Sequence, residues 1–338
     1  MWRFVVLFLL ASSSASATST RSTTPFTVEE TGDGFFTLQA AVFAIGDGEG
    51  TILIAPGRYM DCAAQNSGRI TYRAVKPLTV IFDSVVCEGK AVLVLRGEEA
   101  IVDGLVFQNL RVPDGNGAGI RFEKGDLVVT RSSFRDSDEG ILGADDPGAT
   151  VRIERSSFAR LGRCDGANAC AHSIYLGLVE SVSVIRSRFE EGKGGHYLKS
   201  RAKWITVAGC SFDDSKGQAT NYMIDLPNGA RGRIEQNFFV QGASKENRAA
   251  FIAVAAEGVY NPSDGLRIVG NTAEKVRDAV WETAFLADWS ESPKEIADNE
   301  VAEGILEHRV INAGTDLGMI GTVKYWIWSF IKHIFGVK

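Results

Sequence analysis

Proline is scarce in this chain: 8 of 338 residues, against 36 glycines. A residue that cannot donate a backbone hydrogen bond is kept out of paired strands. The balance therefore suits many short strands joined by tight turns. Positive charge is not in surplus either. The 36 Lys and Arg face 42 Asp and Glu, a net −6 with histidine neutral. That argues against a general nucleic-acid binder, whose affinity comes from a basic face that releases counterions. The apolar stretch Phe4 to Ala11 is too short to span a bilayer.

That stretch follows Arg3 and precedes Ala15-Ser16-Ala17, an A-x-A cleavage site, so residues 1–17 are expected to be an export signal. An uncleaved anchor is the alternative. Residues 18–34 are expected to be a linker, opening with the polar run TSTRSTTP. Export implies a secreted or periplasmic protein and makes disulfides permissible.

What is present is a repeat. VTRSSF (129–134), IERSSF (153–158), VIRSRF (184–189), VAGCSF (207–212), IEQNFF (234–239), IVGNTA (268–273) and IADNEV (296–301) share one pattern. Aligned, they put Ser132, Ser156, Ser187, Cys210, Asn237, Asn271 and Asn299 in one column. Phe134, Phe158, Phe189, Phe212 and Phe239 fill another, closed by Ala273 and Val301. A period of this size with β-branched residues and small polar turns indicates a solenoid whose coils bury their faces against each other. The expected fold is all-β, a parallel β-helix over residues 35–317, with the asparagines as a structural ladder and the phenylalanines as core. FFTLQAAVFAI (35–45) places apolar groups at helical spacing and predicts a short helix capping the open end. The basic tail 318–338 carries Ile320, Val323, Ile327, Phe330, Ile331 and Ile334 on one helical stripe beside Trp326 and Trp328. It suits either peripheral contact with a membrane, through 319–338, or a cap on the last coil.

The helical segment followed by GEGTILIAPGRY resembles the opening of right-handed parallel β-helix proteins of the pectate-lyase-like superfamily, and the resemblance runs through the repeats to about residue 310. It implies the fold far more specifically than an activity, since β-helices host lyases, hydrolases, epimerases and adhesins.

A β-helix core is packed solid, so a ligand must bind outside. Aligning four coils on Ile174, Leu198, Ile224 and Ile252 sends Tyr175, Lys199, Asp225 and Ala253 outward by strand alternation. The preceding column, Ser173, Tyr197, Met223 and Phe251, is expected to form an aromatic shelf beside this row. Rings that stack on sugars beside charges that fix hydroxyls and carboxylates suit an acidic polysaccharide.

In GGHYLKSRA, Lys199 is the candidate base for β-elimination on a uronate, its pKa lowered by Arg201, which would bind the sugar carboxylate. Tyr175, one coil away, is the candidate acid. The Lys199-Ser200 pair resembles the alginate- and chondroitin-lyase β-helix families, in which a lysine is base and an arginine on the next coil is acid. Here Asp225 stands where that arginine would be. The structural alternative is a plain Lys199–Asp225 ion pair.

His172 and His196 are expected to be neighbours one coil apart, either as a hydrogen-bonded corner pair or with His196 as a general base on the groove. Two histidines fall short of a zinc site, and no cofactor is expected. The acids Asp136, Asp138, Glu139, Asp145 and Asp146 read as solvated turn residues that leave room for calcium or glycosidase chemistry, although the dense acid motifs of β-helix polygalacturonases are not visible. The favoured function is an exported polysaccharide lyase. A non-catalytic carbohydrate-binding or cell-envelope protein and a glycoside hydrolase are the alternatives.

Of five cysteines, Cys164 and Cys170 flank a short loop and Cys62 and Cys87 lie one coil apart, so each couple can pair, leaving Cys210 as a buried thiol. A thiol titration of denatured, unreduced protein is expected to find one free cysteine.

Overall fold

A computed structural model describes residues 24–164 and 170–311. The signal expected over 1–17 and the tail 318–338 lie outside these residues. The described chain winds into a parallel β-solenoid of three sheets with 12, 10 and 10 strands, each sheet taking one strand from every coil. Phe26–Val28 and Gly34–Phe35 join the first sheet antiparallel at its start. The linker expected over 18–34 therefore ends earlier than its sequence suggested, because Phe26 and Val28 alternate inward and are buried.

One short helix, α1 (Leu38–Ile45), packs beside these first strands. Thr37 caps it by accepting from the Ala40 amide at 3.2 Å. It buries Leu38, Ala41 and Val42 and leaves Phe43 outside. Two disulfides, Cys62–Cys87 and Cys164–Cys170, and a buried free Cys210 complete the cysteine chemistry. Disulfides form and persist in oxidising compartments. No described helix is long and apolar enough to cross a membrane.

Two internal columns hold the coils in register. In the first, each side chain accepts from the backbone N–H of its counterpart one coil earlier. Ser156 Oγ takes the Ser132 amide at 3.2 Å, Asn237 Oδ1 the Cys210 amide at 2.8 Å and Asn271 Oδ1 the Asn237 amide at 3.0 Å. The residue before each column member turns the chain through the left-handed region, as at Arg131, Arg155, Arg186 and Gln236. The buried corner amide has no partner within its own coil, so the ladder supplies one.

The second column is aromatic. Phe82, Phe107, Phe134, Phe158, Phe189, Phe212 and Phe239 stack with centroids 4.6–5.8 Å apart, following the ~4.8 Å spacing of paired strands. Facing them across the core is the column Gly119, Gly140, Ser173, Tyr197, Met223, Phe251 and Phe285. It is small beside the earlier rings, at Gly119, Gly140 and Ser173, and grows from Tyr197 onward, where Tyr197 meets Phe189 and Phe212 edge-to-face. A Cβ at Gly119 would lie 2.7 Å from the Phe134 ring. It is large where the stack gives way to Ala273, and there Phe251 and Phe285 fill the space edge-to-face with Phe239. Interiors pack at near-crystalline density, so volume lost in one column must return in its neighbour.

Asn237→Ala removes the acceptor for the Cys210 amide and the Nδ2 donor that reaches the Val207 carbonyl at 2.9 Å. Two buried groups lose partners, and urea unfolding should show a loss of about 2–4 kcal/mol.

Candidate functional site

The aligned strands Ile174–Leu176, Leu198–Ser200, Ile224–Leu226 and Ala250–Val254 are neighbours in the third sheet. They pair Ile174 with Leu198, Ile224 and Ile252 in succession, so Tyr175, Lys199, Asp225 and Ala253 also lie side by side. This outer row is more enclosed than alternation suggested. Lys199 is 7% exposed, Asp225 3% and Ala253 0%, and only Tyr175 is partly open.

The expected shelf beside the row is not on the surface. Tyr197 is 1% exposed and Met223 0%, both in the core. The first three strands are three residues long, and the chain turns a corner just before each. Strict alternation therefore ends there, and the column facing the Phe stack points inward. The Tyr197 hydroxyl donates to Asp214 at 2.7 Å, and Asp214 also accepts from Lys245 Nζ at 3.1 Å and from Thr220. Tyr197 and Met223 are thus packing residues, not sugar contacts.

Lys199 sits between two carboxylates. Its Nζ is 3.3 Å from Asp225 Oδ2 and 2.7 Å from Glu257 Oε1. Burial alone would lower its pKa, but Asp225 and Glu257 outweigh burial and hold it well above the ordinary lysine value. The expected lowering by Arg201 is overturned, because the two carboxylates act on the ammonium more strongly than the guanidinium does. Arg201 donates through Nε to the Tyr175 hydroxyl at 3.1 Å, through Nη1 to Asn228 Oδ1 at 2.5 Å and through Nη2 to Glu257 Oε2 at 2.5 Å. Both cations flank the Tyr175 ring, at 5.7 and 5.9 Å from its centroid. Glu257 is held below the usual glutamate range: burial raises it, but Lys199 and Arg201 prevail. Asp225 goes the other way, to about 6, because its burial dominates over Lys199.

His172 and His196 meet at the corner of the same coils. The His196 amide donates to His172 Nδ1 at 3.0 Å, and the rings are 4.8 Å apart. Burial lowers His172 to about 3 and His196 well below its ordinary value, so both rings are neutral. The other edge of His196 faces Asp225, with Nε2 to Oδ2 at 3.5 Å. Tyr222 borders the pair, its ring 5.7 Å from that of His196.

Four of the acids expected in solvated turns do other work. Asp138 is 1% and Glu139 2% exposed. Asp138 Oδ2 accepts from the Val112 and Gly117 amides at 3.0 and 3.2 Å. Asp145 and Asp146 each accept one amide, from Leu178 at 2.7 Å and Gly125 at 2.9 Å. No group of three or more described His, Cys, Asp or Glu residues could hold a metal ion.

Glu257 and Asn228 were not singled out in the sequence. Glu257 lies 58 residues beyond Lys199, on a loop that folds back over the sheet, and no column alignment reaches it. The available clue was charge: two adjacent cations faced one acid.

No family model matches the chain, and no curated protein matches it. Among solved structures it is similar to ORF18 of Geobacillus virus E2, with 13% identity and a TM-score of 0.46 over 81% of this chain and 57% of that one. It is also similar to the deglycosylated pectin methylesterase of Aspergillus niger, with 12% identity and a TM-score of 0.46 over 88% of this chain and 93% of that one. A pectin methylesterase mutant in complex with a hexasaccharide aligns at 10% identity and a TM-score of 0.35 over 86% of this chain and 88% of that one. The solenoid assignment rests on the chain's own parallel ladders.

Burial raises Glu139 to about 8 from an ordinary 4.5, and its Oε2 has no partner among the described residues. A carboxyl raised on folding stabilises the protein while protonated in both states, and that contribution is lost as pH climbs from 4.5 through about 8. Glu139→Gln keeps the shape without the ionisation. Urea midpoints should match wild type below pH 4.5 and exceed it above pH 8.

Proposed function

We propose that the protein acts on an acidic polysaccharide lying across the coils that carry residues 172–177, 196–201 and 222–229. One observation carries this reading: Lys199 and Arg201 converge on a single carboxylate, at 2.7 and 2.5 Å, beside the ring of Tyr175. Two cations and an aromatic face are the complement of a uronate, which offers a carboxylate on a ring with apolar faces. Successive coils, ~4.8 Å apart, present this surface stepwise to an extended polymer.

The reaction we infer is β-elimination. Lys199 and Arg201 together neutralise the substrate carboxylate, which acidifies the adjacent C–H. Lys199 stays charged in this scheme, so the base is assigned to His196, a neutral ring that burial makes a weak base, and the cations' pairing with the substrate carboxylate must supply the acidity of the C–H. It takes the α-proton, the C–O bond to the leaving sugar breaks, and a double bond forms in the uronate. Tyr175 protonates the leaving oxygen. Its hydroxyl accepts from Arg201 Nε at 3.1 Å, so its own proton is available to donate. A glycoside hydrolase fits less well, because it needs two carboxyl groups on opposite sides of the bond. Glu257 is held by two cations, and Asp225 is 3% exposed.

A panel of uronate and neutral polymers tests this, read by affinity and by absorbance of unsaturated products. Arg201→Ala should weaken uronate binding at least about tenfold. His196→Ala should abolish product while binding survives. Affinity with no product from any uronate polymer would make the protein a non-catalytic binder. Absence of uronate affinity would overturn the reading.

A further inference from the structure

The carboxylate that Lys199 and Arg201 hold belongs to the protein itself. We propose that Glu257 occupies the subsite of the polymer's carboxylate in the free protein, and that a uronate binds by displacing it. The inference rests on the reading of this face as a uronate site and adds how that site is kept closed.

Charge balance is the first argument. Lys199 and Arg201 are two enclosed cations, their side chains 8% and 19% exposed, and enclosed charge must be matched. Asp225 supplies one negative charge from the sheet side, 3.3 Å from Lys199. The second comes from Glu257 on the outer side. Replacing the Glu257 carboxylate by a uronate carboxylate leaves the total charge unchanged, so the exchange needs no proton transfer and strands no ion.

Position is the second argument. Glu257 is the most open charged member of the cluster, its side chain 27% exposed against 4% for Asp225. It can leave by rotating about its own side-chain bonds. Its backbone need not follow, because the loop is anchored on both sides of it. The Glu257 amide donates to the Pro227 carbonyl at 2.9 Å and the Asn261 amide to the Asn228 carbonyl at 2.8 Å. The Asn261 side chain donates to the Arg201, Ala202 and Gly229 carbonyls at 3.0–3.3 Å. Beyond Glu257, Val259 and Tyr260 stand 55% and 68% exposed at the loop tip, where Tyr260 offers a ring to a neighbouring sugar.

The third argument is contrast with Lys245 and Asp214, a cation–carboxylate pair whose side chains are 1% and 0% exposed. There the carboxylate also takes Tyr197, Thr220 and the Gly242 amide. No partner is left on an open side, so that pair is sealed. Glu257 accepts only from Lys199 and Arg201 among the described residues, which are the two groups a substrate would claim.

The test is chemical rescue in Glu257→Ala, with Glu257→Gln as the second variant should the first fold poorly. Glu257→Ala should melt below wild type. Millimolar galacturonate or glucuronate should restore its melting temperature beyond the effect of glucose in chloride of equal ionic strength. Wild type should not respond, and Arg201→Ala in the same background should abolish rescue. Uronate oligosaccharides should bind Glu257→Ala about tenfold or more tightly than wild type, because the resident competitor is gone. Rescue no better than with glucose and chloride, together with unchanged oligosaccharide affinity, would overturn the proposal while leaving a wild type that binds polymer as a uronate binder. Rescue by uronates in a protein whose wild type has no polymer affinity would keep the subsite and remove the polysaccharide reading.

Discussion

Everything in this molecule depends on coil stacking. Parallel pairing sets equivalent residues of successive coils ~4.8 Å apart, so each side chain is judged against its counterparts one turn away. Inside, that makes identical residues an advantage. Phenylalanines stack face to face, and asparagines pass one hydrogen bond along the axis. Outside, a row of like charges would repel, and the row instead runs Tyr175, Lys199, Asp225, Ala253.

The candidate site is the outer face of the third sheet resolving a charge problem. Lys199 and Arg201 are drawn out of water, and enclosed cations persist only when opposite charge and hydrogen bonds meet them. Asp225 and Glu257 do so. The two histidines beside them stay neutral because burial and nearby cations oppose a further positive charge. The result is a lysine held firmly as a cation, with a neutral imidazole as its neighbour. That reverses the roles a lysine-base scheme would assign, and the reversal comes from Asp225 and Glu257, residues on other coils.

Much of the fold was legible because it is local and periodic. The Ser/Cys/Asn and Phe columns, the alignment of Ile174 with Leu198, Ile224 and Ile252, and both disulfides follow from counting along the chain. The site was legible only in part. Tyr175, Lys199, Arg201 and Asp225 do adjoin each other, and His172 does meet His196. Tyr197 and Met223 were misplaced because alternation was carried across a corner, where the chain changes direction and the pattern restarts. Asp138 and Glu139 were misjudged for a related reason: turn position suggests solvent, but Asp138 takes the Val112 and Gly117 amides and Glu139 opens a buried strand.

Sequence by itself determined the architecture and the identity of each side chain's lateral neighbours, because a solenoid converts spacing along the chain directly into spacing across it. Only the tertiary structure decided which side chains are enclosed and which charges meet. Those depend on loops such as the one bearing Glu257, whose path across the coils has no period to count, and burial and charge together set protonation.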